Sequence, residues 1–224
     1  GRIAISPRIM ALALGVATYG FAFGILAGEA GFSAEGIAAM GVIVFAGSSQ
    51  IAAVDQFLTT GTVLGAALAG AALNLRYIGI VATTVPVLKE VPWPARLIAI
   101  QGTTDENFGL TLAARKADPR VGGAFLLGTA LGLMLAWITS TVAGGIVGQA
   151  LPGLERFGIG FAFTAAFIAM ARALWPGRRA LLPWAVTFAL TVLLIRAGLP
   201  SAAALVLGAL TGVGTDFATN RHDR

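Results

Sequence analysis

The sequence predicts an all-α protein, a polytopic bundle of roughly seven or eight membrane segments. Three observations carry this. Hydrophobic residues make up 57% of the chain and charged residues 11%, against about 25% charged in soluble domains. Apolar runs of about 20 residues, long enough to cross the ~30 Å hydrocarbon core as helices, recur from end to end. The basic residues gather between these runs, where membrane proteins carry them. A pI near 10.7 and a net charge of +5 therefore point to the lipid bilayer as partner and not to nucleic acid. With no cysteine, neither disulfides nor thiolate metal sites are available. The single histidine, His222, lies in a polar tail. No metal and no cofactor is expected, and no stretch reads as a cleavable signal peptide.

Taken in order, a basic lead-in with Arg2 and Arg8 precedes the first run, 9–28. Gly20, Gly24 and Gly28 fall on one face of it, which allows close helix approach. Ser33 is a candidate N-cap for the second run, 34–58. At its centre stands Phe45-Ala46-Gly47-Ser48-Ser49-Gln50. This stretch reads in two ways. A discontinuous helix near 45–50 would free backbone amides to bind a carboxylate. An intact helix would bond its serines to its own carbonyls. Thr59-Thr60-Gly61 turns the chain into a third run, 61–88, with Gly61, Gly65 and Ala69 as a small-residue face and Leu73-Asn74-Leu75-Arg76-Tyr77 near its middle. Pro86, Pro92 and Pro94 flank the next loop. Run 97–114 is apolar at its ends and carries Gln101, Thr104, Asp105, Glu106 and Asn107 between them. It crosses, re-enters or lies on the membrane surface, with a second possible discontinuity near 101–107. As a regular helix it would stack Gln101 on Asp105.

Four runs follow, 121–149, 159–175, 180–195 and 199–217. Gly128/Gly132 and Gly208/Gly212 offer further small-residue faces, and Arg172 and Trp175 suit a membrane edge. Thr139, Ser140 and Thr141 can bond their own helix carbonyls and receive no role. The whole chain, 1–224, reads as one membrane domain.

With eight crossings and the N-terminus in the cytoplasm, ten of the 15 Lys and Arg residues lie inside and four outside, while Arg76 lies in the membrane. Removing 97–114 as a crossing scatters the loop arginines to both sides, so the positive-inside rule favours an even count with both termini cytoplasmic.

Arg76 carries the functional argument. A cation near the bilayer centre costs roughly 2.5–3.5 kcal/mol on insertion scales, and such residues are usually functional. Gln50 lies about ten residues before the hairpin turn and Arg76 about fifteen after it, so their depths match roughly at 1.5 Å per residue. The hairpin can thus gather Gly47, Ser48, Ser49, Gln50, Asn74 and Arg76 into one polar cluster that binds a solute. Adjacent Asp105 and Glu106 cannot both be ionised cheaply in apolar surroundings. Asp105 is the better partner for Arg76, and Glu106 the better proton carrier.

Phe45-Ala46-Gly47-Ser48-Ser49-Gln50, Asn74-Leu75-Arg76-Tyr77 and Thr104-Asp105-Glu106, in this order and spacing, resemble the AzlC family, the larger subunits of bacterial branched-chain amino acid exporters. The resemblance covers about 15–114, and Tyr77 stands where many members have histidine. It implies export of leucine, isoleucine and valine across the bacterial inner membrane, driven by the proton gradient. It also implies a small AzlD-type membrane partner subunit.

The residues alone leave a passive channel and a structural or assembly subunit as alternatives. A retinal protein is disfavoured because Lys89 and Lys116 lie in loops, and an enzyme because no serine has a histidine partner. The charge split makes the first testable statement. Cysteine labels placed at Ser6 and at Thr219 should both resist membrane-impermeant reagents in intact cells; labelling of one alone contradicts the even count.

Overall fold

In the computed structural model, residues 7–151, 168, 175 and 177–219 are described, and all regular elements among them are helical. Helix α1 spans Pro7–Glu29, α2 Ala34–Ile43, α3 Gly47–Thr60 and α4 Val63–Asn74. Helix α5, Arg76–Thr84, runs into a 3-10 turn at Val85–Leu88. Then come α6 at Trp93–Gln101, α7 at Asp105–Ala117 and α8 at Gly123–Ala150. A 3-10 turn at Arg178–Ala180 leads into α9, Leu181–Arg196, and α10 is Ser201–Thr219.

Among the described residues three helices, Leu12–Glu29, Gly123–Ala150 and Arg178–Arg196, are long and apolar enough to cross a membrane. Val63–Asn74 and Arg76–Leu88 make a fourth if that pair, bent by 42°, is one span. Residues 1–6 of the expected lead-in at 1–8, the span at 159–175 with Arg172 (Ile168 and Trp175 excepted), and the tail from 220 lie outside the described residues; Pro7 and Arg8 already belong to α1. The Trp175 ring meets Trp184 edge-on at 5.1 Å.

Helix α8 is the spine. Its buried residues Leu126, Ala130, Leu133, Trp137, Thr141, Gly144 and Gly148 recur at spacings of three and four, a single stripe down one face. Helix α1 lies along this stripe, and α2, α6 and α7 also pack on α8. The glycine face of α1 sets the contact distance. A Cβ on Gly24 would collide with the Thr141 backbone, and one on Gly28 with the Gly145 carbonyl. From the other side, Gly144 sits against the Phe21 backbone. Backbones come this close only where both helices present small residues. Gly208 and Gly212 do the same for α10 against Thr191 and Thr187 of α9.

Two of the expected small-residue faces differ. Gly61 caps α3 in the left-handed region at φ 68°, which a residue without Cβ adopts freely. Gly65 faces Thr62 and Thr60 of that same turn. The close approach of α3 and α4 falls instead at Gly70, whose Cβ would lie 3.3 Å from the Ser49 carbonyl. A Cβ on Gly132 would meet no other helix within 4 Å among the described residues.

The helical path is interrupted at residues 44–46, at Leu75 and at 102–104. The first and third interruptions fall in the two stretches whose composition weakens a helix. The third overturns the stacking of Gln101 on Asp105, because Thr104 is extended (φ −123°, ψ 170°) and the two residues belong to different helices. The bend at Leu75 has no Gly or Pro to announce it. Pro94 does not end a helix either; it lies in the first turn of α6, where its missing N–H goes unneeded.

Candidate functional site

The three interruptions meet around Arg76, the first residue of α5. Its Nη2 donates to Ser48 Oγ at 2.8 Å and lies 3.0 Å from Asp105 Oδ2. The guanidinium also sits 5.2 Å from the centre of the Tyr77 ring, a cation–π distance. Thus one cation touches the N-terminal turn of α3, the N-terminal turn of α7 and its own helix. The Asp105 side chain is 15% exposed and that of Arg76 32%, so the pair is partly screened from solvent. Ser49 Oγ donates to Asn74 Oδ1, tying α3 to the last residue of α4.

The first and third interruptions are closed by named groups. At the first, Phe45 adopts a positive φ of 39°, and α3 starts at Gly47 without a side-chain cap. Gln50 folds back, its Oε1 accepting from Ala46 N at 3.3 Å and from Trp137 Nε1 at 3.1 Å. Gly47 is pressed between aromatic rings, since a Cβ there would lie 2.8 Å from Trp137 and 2.9 Å from Tyr19. At the third, Thr104 and Asn107 form a capping box, and Asn107 Nδ2 also donates to the Gly102 carbonyl at 2.6 Å. Gly102 abuts Ala130 of α8, with its Cβ position 2.8 Å from that side chain. Ala130 and Trp137 are seven residues apart on one face of α8, about 10.5 Å along its axis. The spine therefore fixes the separation of the two interruptions. Between them, Gln101 Nε2 donates to the carbonyls of Val42 and Ile43 at 3.2 and 2.7 Å.

Asp105 and Glu106 both occupy the first turn of α7, where the helix dipole favours negative charge. Their surroundings differ. Asp105 faces Arg76, whereas Glu106 lines a small cavity of about 30 Å³ together with Gly47, Thr104 and Trp137. At about 10–15 Å³ per water by this measure, that space holds about two waters and no amino acid. A larger pocket, about 340 Å³, lies beside Asn74 and Tyr77 and is walled by Ile43, Val44, Phe45, Val81, Ile100, Gln101 and Thr103. Gln50 Nε2 and Arg76 Nε are buried donors with no hydrogen-bond partner among the described residues. Also among the described residues, no three of His, Cys, Asp and Glu form a metal-binding group.

All eight candidate residues thus fall within this region, and Ser48, Ser49, Asn74, Arg76 and Asp105 are in direct contact. Sequence reasoning missed Trp137 and the tie made by Gln101. A tryptophan near the middle of an apolar run, far from the interfacial belt, was a readable signal, because its buried N–H needs an acceptor. Thr139, Ser140 and Thr141 do bond carbonyls of their own helix.

An all-helical membrane protein, with interrupted helices converging on a half-buried cation, is the class defined by fold and site. This chain belongs to the AzlC family: the family model described as AzlC protein matches residues 11–151, a stretch containing the whole site. It is 31% identical over 131 residues to an uncharacterized membrane protein of Archaeoglobus fulgidus. That alignment covers 58% of this chain and 55% of the relative, so the chain spans about half the length of the curated relative it matches. No solved structure matches the chain. The relative and the apolar helices together indicate a membrane location.

The closure of the first interruption sets a rank order. Gln50→Leu strands two buried donors, at about 1–3 kcal/mol each, whereas Trp137→Phe leaves the Gln50 oxygen its bond to Ala46. Thermal unfolding in lipid nanodiscs should therefore show the larger loss for Gln50→Leu.

Proposed function

We propose that the chain is the solute-carrying subunit of a secondary transporter that exports branched-chain amino acids. It works with a small AzlD-type membrane subunit in the bacterial inner membrane and is driven by the proton gradient. Seven or eight segments with both termini in the cytoplasm complete the picture, and no chemical step is catalysed. Membership in the family supports a transport-related role in the membrane. The observation that carries the reading is Arg76, held at the junction of three interrupted helices with a donor to spare. Helix ends facing one another within a membrane protein are where transporters bind charged solutes.

The division of roles follows from placement. Arg76 and Asn74, aligned by Ser48 and Ser49, hold the carboxylate. Gly47 and Gln50 shape the interruption that presents those serines. The 340 Å³ pocket sits at the low end of the ~300–1,000 Å³ range of ligand sites, which suits a molecule the size of an amino acid. Among the described residues its lining has no Lys, Arg, Asp or Glu, which suits an aliphatic side chain; Asn74 is the cluster's share of that lining, and Arg76 adjoins it through Tyr77. Asp105 keeps Arg76 aimed. Glu106, beside its water-sized cavity, takes up and releases the coupling proton. A passive channel built from the same cluster is the competing reading.

Proteoliposome flux, with and without the small subunit and across a panel of amino acids, tests this. Wild type should exchange leucine saturably. Arg76→Ala should reduce exchange about 10–100-fold, as expected for losing a hydrogen bond to a charged group worth ~1.5–3 kcal/mol. Glu106→Gln should abolish proton-driven accumulation and leave exchange measurable. Non-saturable wild-type flux, or full flux in Arg76→Ala, contradicts the proposal.

A further inference from the structure

The last carbonyls of a helix have no partner within it, and together they carry about half a negative charge. In α2 the Met40 carbonyl accepts from Val44 N. Those of Val42 and Ile43 accept from a side chain that arrives from the far side of the site, the Gln101 amide. One nitrogen thus bridges two carbonyl oxygens at the negative end of a half-helix. An ammonium group would make the same contacts and add a positive charge. Gln101 is an exposed residue at the end of α6, and it lines the 340 Å³ pocket together with Ile43, Asn74 and Tyr77.

The two nearby carboxylates are committed elsewhere. Asp105 is paired with Arg76, and Glu106 lines the smaller cavity beside Gly47. A zwitterion in the larger pocket would therefore find its countercharge for the ammonium in these carbonyls. At the opposite end Asn74 and Tyr77 line the pocket, and Arg76 adjoins it through the Tyr77 ring, 5.2 Å from its centre.

We propose that the Val42 and Ile43 carbonyls form an ammonium subsite, and that Gln101 occupies it until an amino acid displaces its amide. The inference rests on the pocket being the amino-acid site of the proposed transporter. Its distinctive consequence is a sign. Gln101 competes with the substrate, so removing its donor strengthens binding, whereas removing a mere structural tie weakens it.

Leucine binding to the full chain in lipid nanodiscs, measured by calorimetry, reads this sign. Gln101→Ala and Gln101→Met, the latter similar in length but without a donor, should both bind leucine about 2–10-fold more tightly, the equivalent of one net hydrogen bond. Gln101→Lys, which tethers an ammonium beside the carbonyls, should bind leucine more weakly than wild type. If wild type binds leucine and both donor-free variants bind it equally or less well, the subsite is overturned and the transporter reading stands. If neither wild type nor any variant binds leucine, the amino-acid reading falls and takes the subsite with it.

Discussion

A helix that stops inside an apolar environment leaves backbone N–H and C=O groups that only the protein can satisfy. Three such stops lie close together here, and the rest of the architecture serves to close them. Gln50 turns back on Ala46, Gln101 reaches the end of α2, and Asn107 spans Thr104 and Gly102. These are neutral amide side chains: Gln50 accepts, Gln101 donates, and Asn107 does both. Glycine appears where the interruptions press on the spine, Gly47 on Trp137 and Gly102 on Ala130. Rigid packing of α1 on α8 holds the platform on which these contacts are made.

The charges follow from the same arrangement. Burying Arg76 alone would be costly, and its pairing with Asp105 offsets that cost. Two interrupted helices contribute their N-terminal turns, α3 through Ser48 and α7 through Asp105. A continuous helix in either place would carry these side chains on a fixed spiral. Interruption lets residues distant in sequence converge at one depth, and it leaves helix ends of opposite polarity around one pocket. That combination suits a molecule with a carboxylate at one end and an ammonium at the other.

Much of this was legible in the sequence, for identifiable reasons. Arg76 inside an apolar run has few inexpensive explanations, and the hairpin at Gly61 makes its meeting with Ser48 a matter of counting residues. The pairing with Asp105 was expected from a helix face shared with Gln101; the pair is present although the break at 102–104 removes that face. The glycine face of α1 predicted close packing, though not its partner, since nothing local in α1 points to Gly144 and Gly145. The bend at Leu75 was hidden because leucine favours helix, and tertiary contacts of Asn74 and Arg76 override that preference. The role of Gln101 was misread because it depends on a chain break that redirects the side chain away from Asp105 and towards α2. The partner of Trp137 was hidden by distance, Gln50 lying 87 residues away.

The central claim is that Arg76 and Asp105 form one coupled unit and are not two independent polar residues. Unfolding free energies in bicelles, measured for Asp105→Asn, Arg76→Met and the double variant, test it most directly. If the account holds, Asp105→Asn alone is less stable than the double variant, because it leaves a half-buried guanidinium without its countercharge. If the effects of the single variants simply add, to within about 0.5 kcal/mol, the two groups are uncoupled and the account is contradicted.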